Sequence, residues 1–141
     1  IPTEIGLLTN LLLFLCATNQ MTGTIPTELG SLQKLTMLDL HTNLFTGTIP
    51  TELGLLTNIY DMSVRDNQLV GTVPSEFGNF SMIGHIWFFD NHLTGSIPFC
   101  DGYTAAPRID CLEIECSCCA ERDGTPCNGD EIADSESAGN S

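Results

Sequence analysis

Asp39 and His41 stand two residues apart in the stretch MLDLHTN, close enough for a carboxylate to orient an imidazole for proton transfer. A hydrolase would also need a nucleophile in reach of that imidazole and a pocket of donors for the developing oxyanion. No Ser or Cys occupies a matching position. Ser63 is nearby, but it falls in a segment that reads as flat sheet, which offers no such pocket. Neither a Walker loop nor a protein-kinase glycine loop is present. The residues therefore point to a protein without catalysis of its own, and no cofactor or resident metal is expected.

Thiols are the second source of chemistry. Cys100, Cys111, Cys116, Cys118, Cys119 and Cys127 crowd into 28 residues. Clustered thiolates with His85 or His92 would suit zinc, but the paired C-x2–4-C spacing of structural zinc sites is absent. Disulfides are the favoured reading; six cysteines allow 15 pairings, and spacing does not choose among them. A disulfide-rich segment implies an oxidising compartment: secretion, or the outer side of a membrane protein. Glu4, Glu28, Glu52 and Glu76 recur at one spacing of 24. Calcium needs six or more converging oxygens, which a line of single carboxylates does not supply, so these read as a solvated ladder.

The formal net charge is −14, from 18 acidic and 4 basic residues. Residues 1–99 contribute −6 and residues 100–141 contribute −8, with no basic patch in either. Nucleic acid and anionic lipid are thus poor partners. No apolar run approaches the ~20 residues of a membrane span, so any membrane attachment would come from segments beyond this sequence.

What positions these groups is a repeat. GTIPTELG occupies residues 23–30 and again 47–54, with GTVPSEFG at 71–78. Ile1, Ile25, Ile49, Val73 and Ile97 are 24 apart, as are Asn19, Asn43, Asn67 and Asn91, and Gly23, Gly47, Gly71 and Gly95. Leu38-x-Leu40 alternates with period two and predicts a short strand with both leucines inward. Such a strand cannot bury its apolar side alone, so successive coils must stack. Each Asn is expected to turn inward and satisfy backbone groups of its own and the neighbouring coil. Gly47 marks an unusual backbone angle, and Pro50 the start of a helical turn. Cys16 takes the inward place held by Leu40, Val64 and Phe88 and reads as a small core hydrophobe.

The L-x-x-L-x-L-x-x-N pattern is the leucine-rich-repeat signature. Its 24-residue L-T-G-x-I-P form resembles the plant-type repeats of receptor-like proteins and receptor kinases, over residues 1 to about 99. The resemblance implies an α/β right-handed leucine-rich-repeat solenoid, or horseshoe. It would carry a parallel concave sheet, short convex helical turns and extra strand near T-G-T. The array begins within a coil, without the N-terminal cysteine cap usual in that family, so upstream coils or a short natural variant are both open. The tail is similar to the cysteine-rich ends of leucine-rich-repeat proteins in diatoms and related algae. Residues 1–99 are thus expected to form four coils and the start of a fifth. Residues 100–127 would form a disulfide-rich cap, and 128–141 an acidic, disordered tail.

The concave columns follow from the period: Leu13, Met37, Asp61, His85; then Leu15, Asp39, Ser63, Trp87; then Ala17, His41, Arg65, Phe89; then Thr18, Thr42, Asp66, Asp90. These are the least repetitive positions, so the fold does not dictate them. Trp87 and Phe89 would anchor a partner or else pack beneath the cap. Asp39, His41, Asp61, Arg65, Asp66, His85 and Asp90 complete the candidate partner-binding set. Leu13 and Leu15 read as residues that a further coil or cap would cover. Asn79-Phe80-Ser81 is an N-glycosylation sequon on the predicted convex side.

The leading function is extracellular recognition of a protein or peptide, in a receptor-like or defence-related protein. A structural spacer is one alternative. Ice binding through the stacked Thr22-Gly-Thr24 and Thr46-Gly-Thr48 is the other.

Overall fold

The computed structural model describes residues 1–95; Ile97, the six clustered cysteines, the expected cap and the acidic tail lie outside the described residues. Four copies of one coil follow each other. Strands β1 (Leu13–Leu15), β3 (Met37–Asp39), β5 (Asp61–Ser63) and β7 (His85–Trp87) pair in parallel in the order β1-β3-β5-β7. A second parallel sheet joins β2 (Thr22–Thr24), β4 (Leu44–Gly47), β6 (Gln68–Gly71) and β8 (His92–Leu93) in that order.

Between the sheets each coil makes a five-residue 3-10 turn: Thr3–Leu7, Thr27–Ser31, Thr51–Leu55 and Ser75–Asn79. Proline starts every one. Pro2, Pro26, Pro50 and Pro74 hold φ between −73° and −61° in extended backbone, where the missing N–H costs nothing. Each proline carbonyl accepts the N–H three residues on, as Leu53 N–H donates to Pro50. The expected helical turns are thus 3-10, and no α-helix occurs among the described residues; no helix there is long and apolar enough to cross a membrane.

The two sheets differ in register. In the first, partners are 24 apart: Leu13 with Met37, Met37 with Asp61, Asp61 with His85. In the second they are 22 apart: Thr24 with Thr46, Thr46 with Gln68, Val70 with His92. Equivalent residues stack straight in one sheet and slip two places per coil in the other. Gly23, Gly47, Gly71 and Gly95 hold φ between 78° and 87°, the left-handed region that a side chain resists. A Cβ on Gly47 would also meet the Thr24 methyl at 2.9 Å.

Leucines fill the space between coils. Leu29, Leu32, Leu35, Leu38 and Leu40 are fully buried, as are Leu53, Leu56, Ile59, Met62 and Val64 one coil on. A buried residue of this size stabilises by roughly 1.5–3 kcal/mol relative to exposure. The first coil is different. Phe14 and Cys16 are only partly buried against the core, and Leu13 and Leu15 are exposed. The expectation that Cys16 is core thus holds in direction but not in degree, because no coil among the described residues covers its outer side. The residual desolvation is enough to push the Cys16 thiol up; the N-terminal amine opposes this and Asp39 adds to it.

Asparagines lock coil to coil. Asn67 Oδ1 accepts from the Phe45 N–H of the preceding coil at 3.0 Å, while its Nδ2 donates to the carbonyls of Leu40, Val64 and Arg65 at 3.0–3.1 Å. Asn43 and Asn91 repeat the arrangement. Asn19 makes the same two bonds within its own coil, to the carbonyls of Cys16 and Ala17, but is exposed and lacks the inter-coil bonds of its equivalents, since no coil precedes it among the described residues.

A substitution separates these roles. Asn67→Ala leaves one buried N–H and several carbonyls short of partners and should cost about 3 kcal/mol. Asn19→Ala should cost under about 1 kcal/mol. Urea unfolding midpoints of the two variants check this; equal losses would refute the inter-coil role.

Candidate recognition surface on the first sheet

Alternation along β3, β5 and β7 sends Leu38, Met62 and Ile86 inward and leaves their neighbours on the solvent face. The register brings Met37, Asp61 and His85 into one row, and Asp39, Ser63 and Trp87 into the next. These are the rows read from the repeat. Inter-coil bonds continue past the strands: Leu40 N–H donates to Ser63 and Val64 N–H to Trp87. His41, Arg65 and Phe89 thereby extend the same surface.

On it, polar and aromatic side chains engage each other in two groups. His85 Nδ1 lies 2.7 Å from Asp61 Oδ1, and its ring stacks on Trp87 with centroids 5.2 Å apart and planes 9° from parallel. Tyr60 meets the His85 ring edge-on at 6.2 Å. The sequence reading missed Tyr60, whose position precedes the strand and shows no alternation to mark it. In the second group the Arg65 guanidinium sits 5.4 Å from the Phe89 centroid and bonds Asp66 Oδ2 at 2.9 Å. Thr42 Oγ1 donates to the same Asp66 oxygen at 3.1 Å. Cation–π contacts of this kind contribute about 0.5–1 kcal/mol when exposed, which orders the guanidinium without sequestering it.

Asp39 and His41 do meet: Asp39 Oδ1 lies 2.6 Å from His41 Nδ1 and accepts the His41 backbone N–H at 3.2 Å. Ser63 is in register with Asp39, yet its hydroxyl bonds to neither residue. Ser63 is 5% exposed, and its Oγ is the buried side-chain polar atom without a partner among the described residues. Among the described residues no nucleophile is bonded to the pair.

The fourth column has a property that residue types did not reveal. Thr18, Thr42, Asp66 and Asp90 all hold φ between 53° and 56°. Aspartate tolerates this region, but a β-branched threonine is strained in it. The same left-handed turn in every coil carries the chain out of the strand and sets up the Asn ladder one residue later.

Of the other sequence candidates, Asn79 and Ser81 are exposed at the end of a 3-10 turn, with Phe80 buried between them. Glu28, Glu52 and Glu76 each accept a bond from the preceding Thr or Ser at 3.3–3.4 Å. No group of three His, Cys, Asp or Glu side chains suited to a metal occurs among the described residues. The T-G-T repeats do not pair threonine with threonine throughout. The slip of two residues sets Thr24 beside Thr46, but Thr46 beside Gln68 and Thr22 beside Leu44.

The leucine-rich-repeat family model matches residues 34–56. The plant peptide hormone receptor RGFR1 in complex with RGF2 superimposes with a TM-score of 0.67 at 38% identity, over 70% of this chain and 16% of that one. The leucine-rich-repeat ectodomain of the receptor kinase SOBIR1 from Arabidopsis thaliana gives 0.66 at 27% identity, over 69% of this chain and 53% of that one. A plant ice-binding protein gives 0.70 at 28%, over 77% of this chain and 36% of that one. This chain therefore spans well under two thirds of each. No curated protein matches it by sequence. The fold is a leucine-rich-repeat solenoid, and its structural neighbours include plant receptor ectodomains.

The Ser63 hydroxyl yields a direct test. Removing an unpartnered buried polar atom leaves no broken bond, so Ser63→Ala should hold or raise stability by up to about 1 kcal/mol. Thermal unfolding measures it, and a loss of that size instead would mean the hydroxyl is bonded in solution.

Proposed function

We propose that this chain is the recognition part of an extracellular, receptor-like or defence-related protein, binding a protein or peptide partner on the concave face of the first sheet and catalysing nothing. The observation that carries this is the contrast within one surface. Core and turn positions recur in kind from coil to coil, while Asp39, His41, Asp61, Arg65, His85, Trp87 and Phe89 do not repeat, and only Asp66 and Asp90 recur as a pair. They include the connected aromatic and charged groups of that face. A peptide hormone receptor in complex with RGF2 among the structural neighbours supports the reading, as does the ectodomain of a receptor kinase for an extracellular setting. The six clustered cysteines as a disulfide cap over 100–127, a glycan on Asn79 and an acidic tail over 128–141 belong to the same proposal.

Size limits the affinity. Four strands at ~4.8 Å spacing present roughly 300 Å², against ~800 Å² per partner in a standard interface. Binding by this chain alone should be weak unless adjoining loops or further coils contribute.

The ice-binding neighbour favours a second reading through the T-G-T repeats. The two-residue slip of the second sheet argues against it, because Leu44, Gln68 and His92 interrupt the threonine rows.

Two measurements separate these readings. In capture from a displayed peptide library, Trp87→Ala and Phe89→Ala should each reduce binding at least tenfold, as central aromatic anchors do; undiminished capture would make both residues structural. Thermal hysteresis of the purified protein should be absent, and its presence would reverse the order of the two functions.

A further inference from the structure

The solvent face of the first sheet changes character at its first strand. Leu12, Leu13 and Leu15 are 55%, 52% and 55% exposed. The same three places hold Thr36, Met37 and Asp39 in the second coil, then Tyr60, Asp61 and Ser63, then Gly84, His85 and Trp87. Register sets Leu13 beside Met37. Tyr60, at the place of Leu12, leans onto His85 of the next coil. Leu12 is related to Met37 as Tyr60 is to His85, and its carbonyl accepts the Met37 N–H at 3.3 Å. Leu12, Leu13, Leu15 and Met37 thus form one aliphatic patch. Asp39, in register with Leu15, and Asp61, in register with Met37, border it.

This patch does not owe its exposure to the open end of the stack. The second and third coils have a neighbour on either side, and the equivalent places still face outward there. Thr36 and Tyr60 are exposed, Met37, Asp39 and Asp61 are half-buried, and only the small Ser63 is hidden. Leu8, Phe14 and Cys16 are different. They face along the stack, where the equivalent Leu32, Leu38 and Leu40 are buried by the adjoining coil, and they form no part of this face.

Single exposed leucines are ordinary, but a contiguous group with a polar border marks a contact site. Charge decides what meets it. The chain carries −14 with no basic patch, so two copies repel across most of their surface. Residues 1–24 hold one charged side chain, Glu4, and it lies on a 3-10 turn rather than on the strand. A second copy can therefore set its own patch here without burying like charges. Asp39 and Asp61 stay at the rim, each already held by a histidine. A two-fold axis makes the patch its own complement.

We propose that Leu12, Leu13, Leu15 and Met37 form a self-association face, through which two copies of this chain meet about a two-fold axis. Four side chains from each copy fall far short of the ~20–30 residues a side in a standard interface, so the dimer is weak and appears only at high concentration. The contact uses the first two strands and not Arg65, Trp87 or Phe89, and it stands independently of the recognition reading.

Sedimentation equilibrium of the full 141-residue protein, from about 10 μM to about 0.5 mM, follows the association. The average mass should rise from monomer toward dimer. Leu13→Ser with Leu15→Ser should raise the dissociation constant at least tenfold. Leu55→Ser with Val70→Ser removes exposed apolar side chains from a 3-10 turn and from the second sheet and should leave it unchanged. Raising sodium chloride from about 0.05 M to about 0.5 M should tighten the dimer several-fold, since salt screens repulsion between acidic copies. Amide resonances of residues 12–15 and Met37 should move on dilution of the unaltered protein while those of Leu55 and Val70 stay, which reads the face without any substitution.

A protein that stays monomeric throughout would overturn the proposal. Equal weakening by both double variants, or dilution shifts confined to other residues, would do the same by placing the contact elsewhere. A dimer that salt dissociates would also overturn it, because the contact would then rest on charged groups.

Discussion

A coil of this chain cannot satisfy its own backbone. Its strand is three residues long, its turn out of the strand passes through left-handed geometry, and the carbonyls there face the interior. The amide of Asn43, Asn67 or Asn91 pairs them, with one oxygen accepting from the coil before and one nitrogen donating to carbonyls of both coils. Leucine burial supplies most of the driving force, but burial is indifferent to register. The asparagine fixes which coil meets which carbonyl, and so fixes the straight rows of the first sheet.

That constraint divides the residues into those the stack needs and those it ignores. Leu38, Leu40, Asn43, Phe45, Ile49 and Leu53 are buried and recur in kind from coil to coil. Outward residues such as Asp61 and Trp87 touch nothing the stack requires. A rigid sheet that specifies backbone positions and leaves side chains free suits recognition, since ordering is already complete before a partner arrives.

Much of this was readable from residue order. Period 24 located the strands, the inward leucines and the rows across the solvent face, because straight stacking carries sequence spacing directly into space. The register of the second sheet was not readable, although the family resemblance implied extra strand near T-G-T. Its two-residue slip is a lateral offset between coils, and letter spacing says nothing about such an offset. For the same reason the T-G-T repeats read as stacked on each other, whereas Thr46 pairs with Gln68 and Thr22 with Leu44. The buried Ser63 hydroxyl also escaped notice: its column is solvent-facing, and only the bulk of its neighbours hides it.

The uneven treatment of the four asparagines has a consequence for motion. Asn19 ties its coil to nothing behind it, and Phe14 and Cys16 share their burial on one side only. Cooperative structure in stacked arrays weakens toward an end that lacks a neighbour. Amide protons of residues 13–16 will therefore trade with deuterated solvent soonest, and those around Leu40 and Val64 last. Among the described coils, opening starts at that rim and works inward, like a scroll loosening at its outer turn.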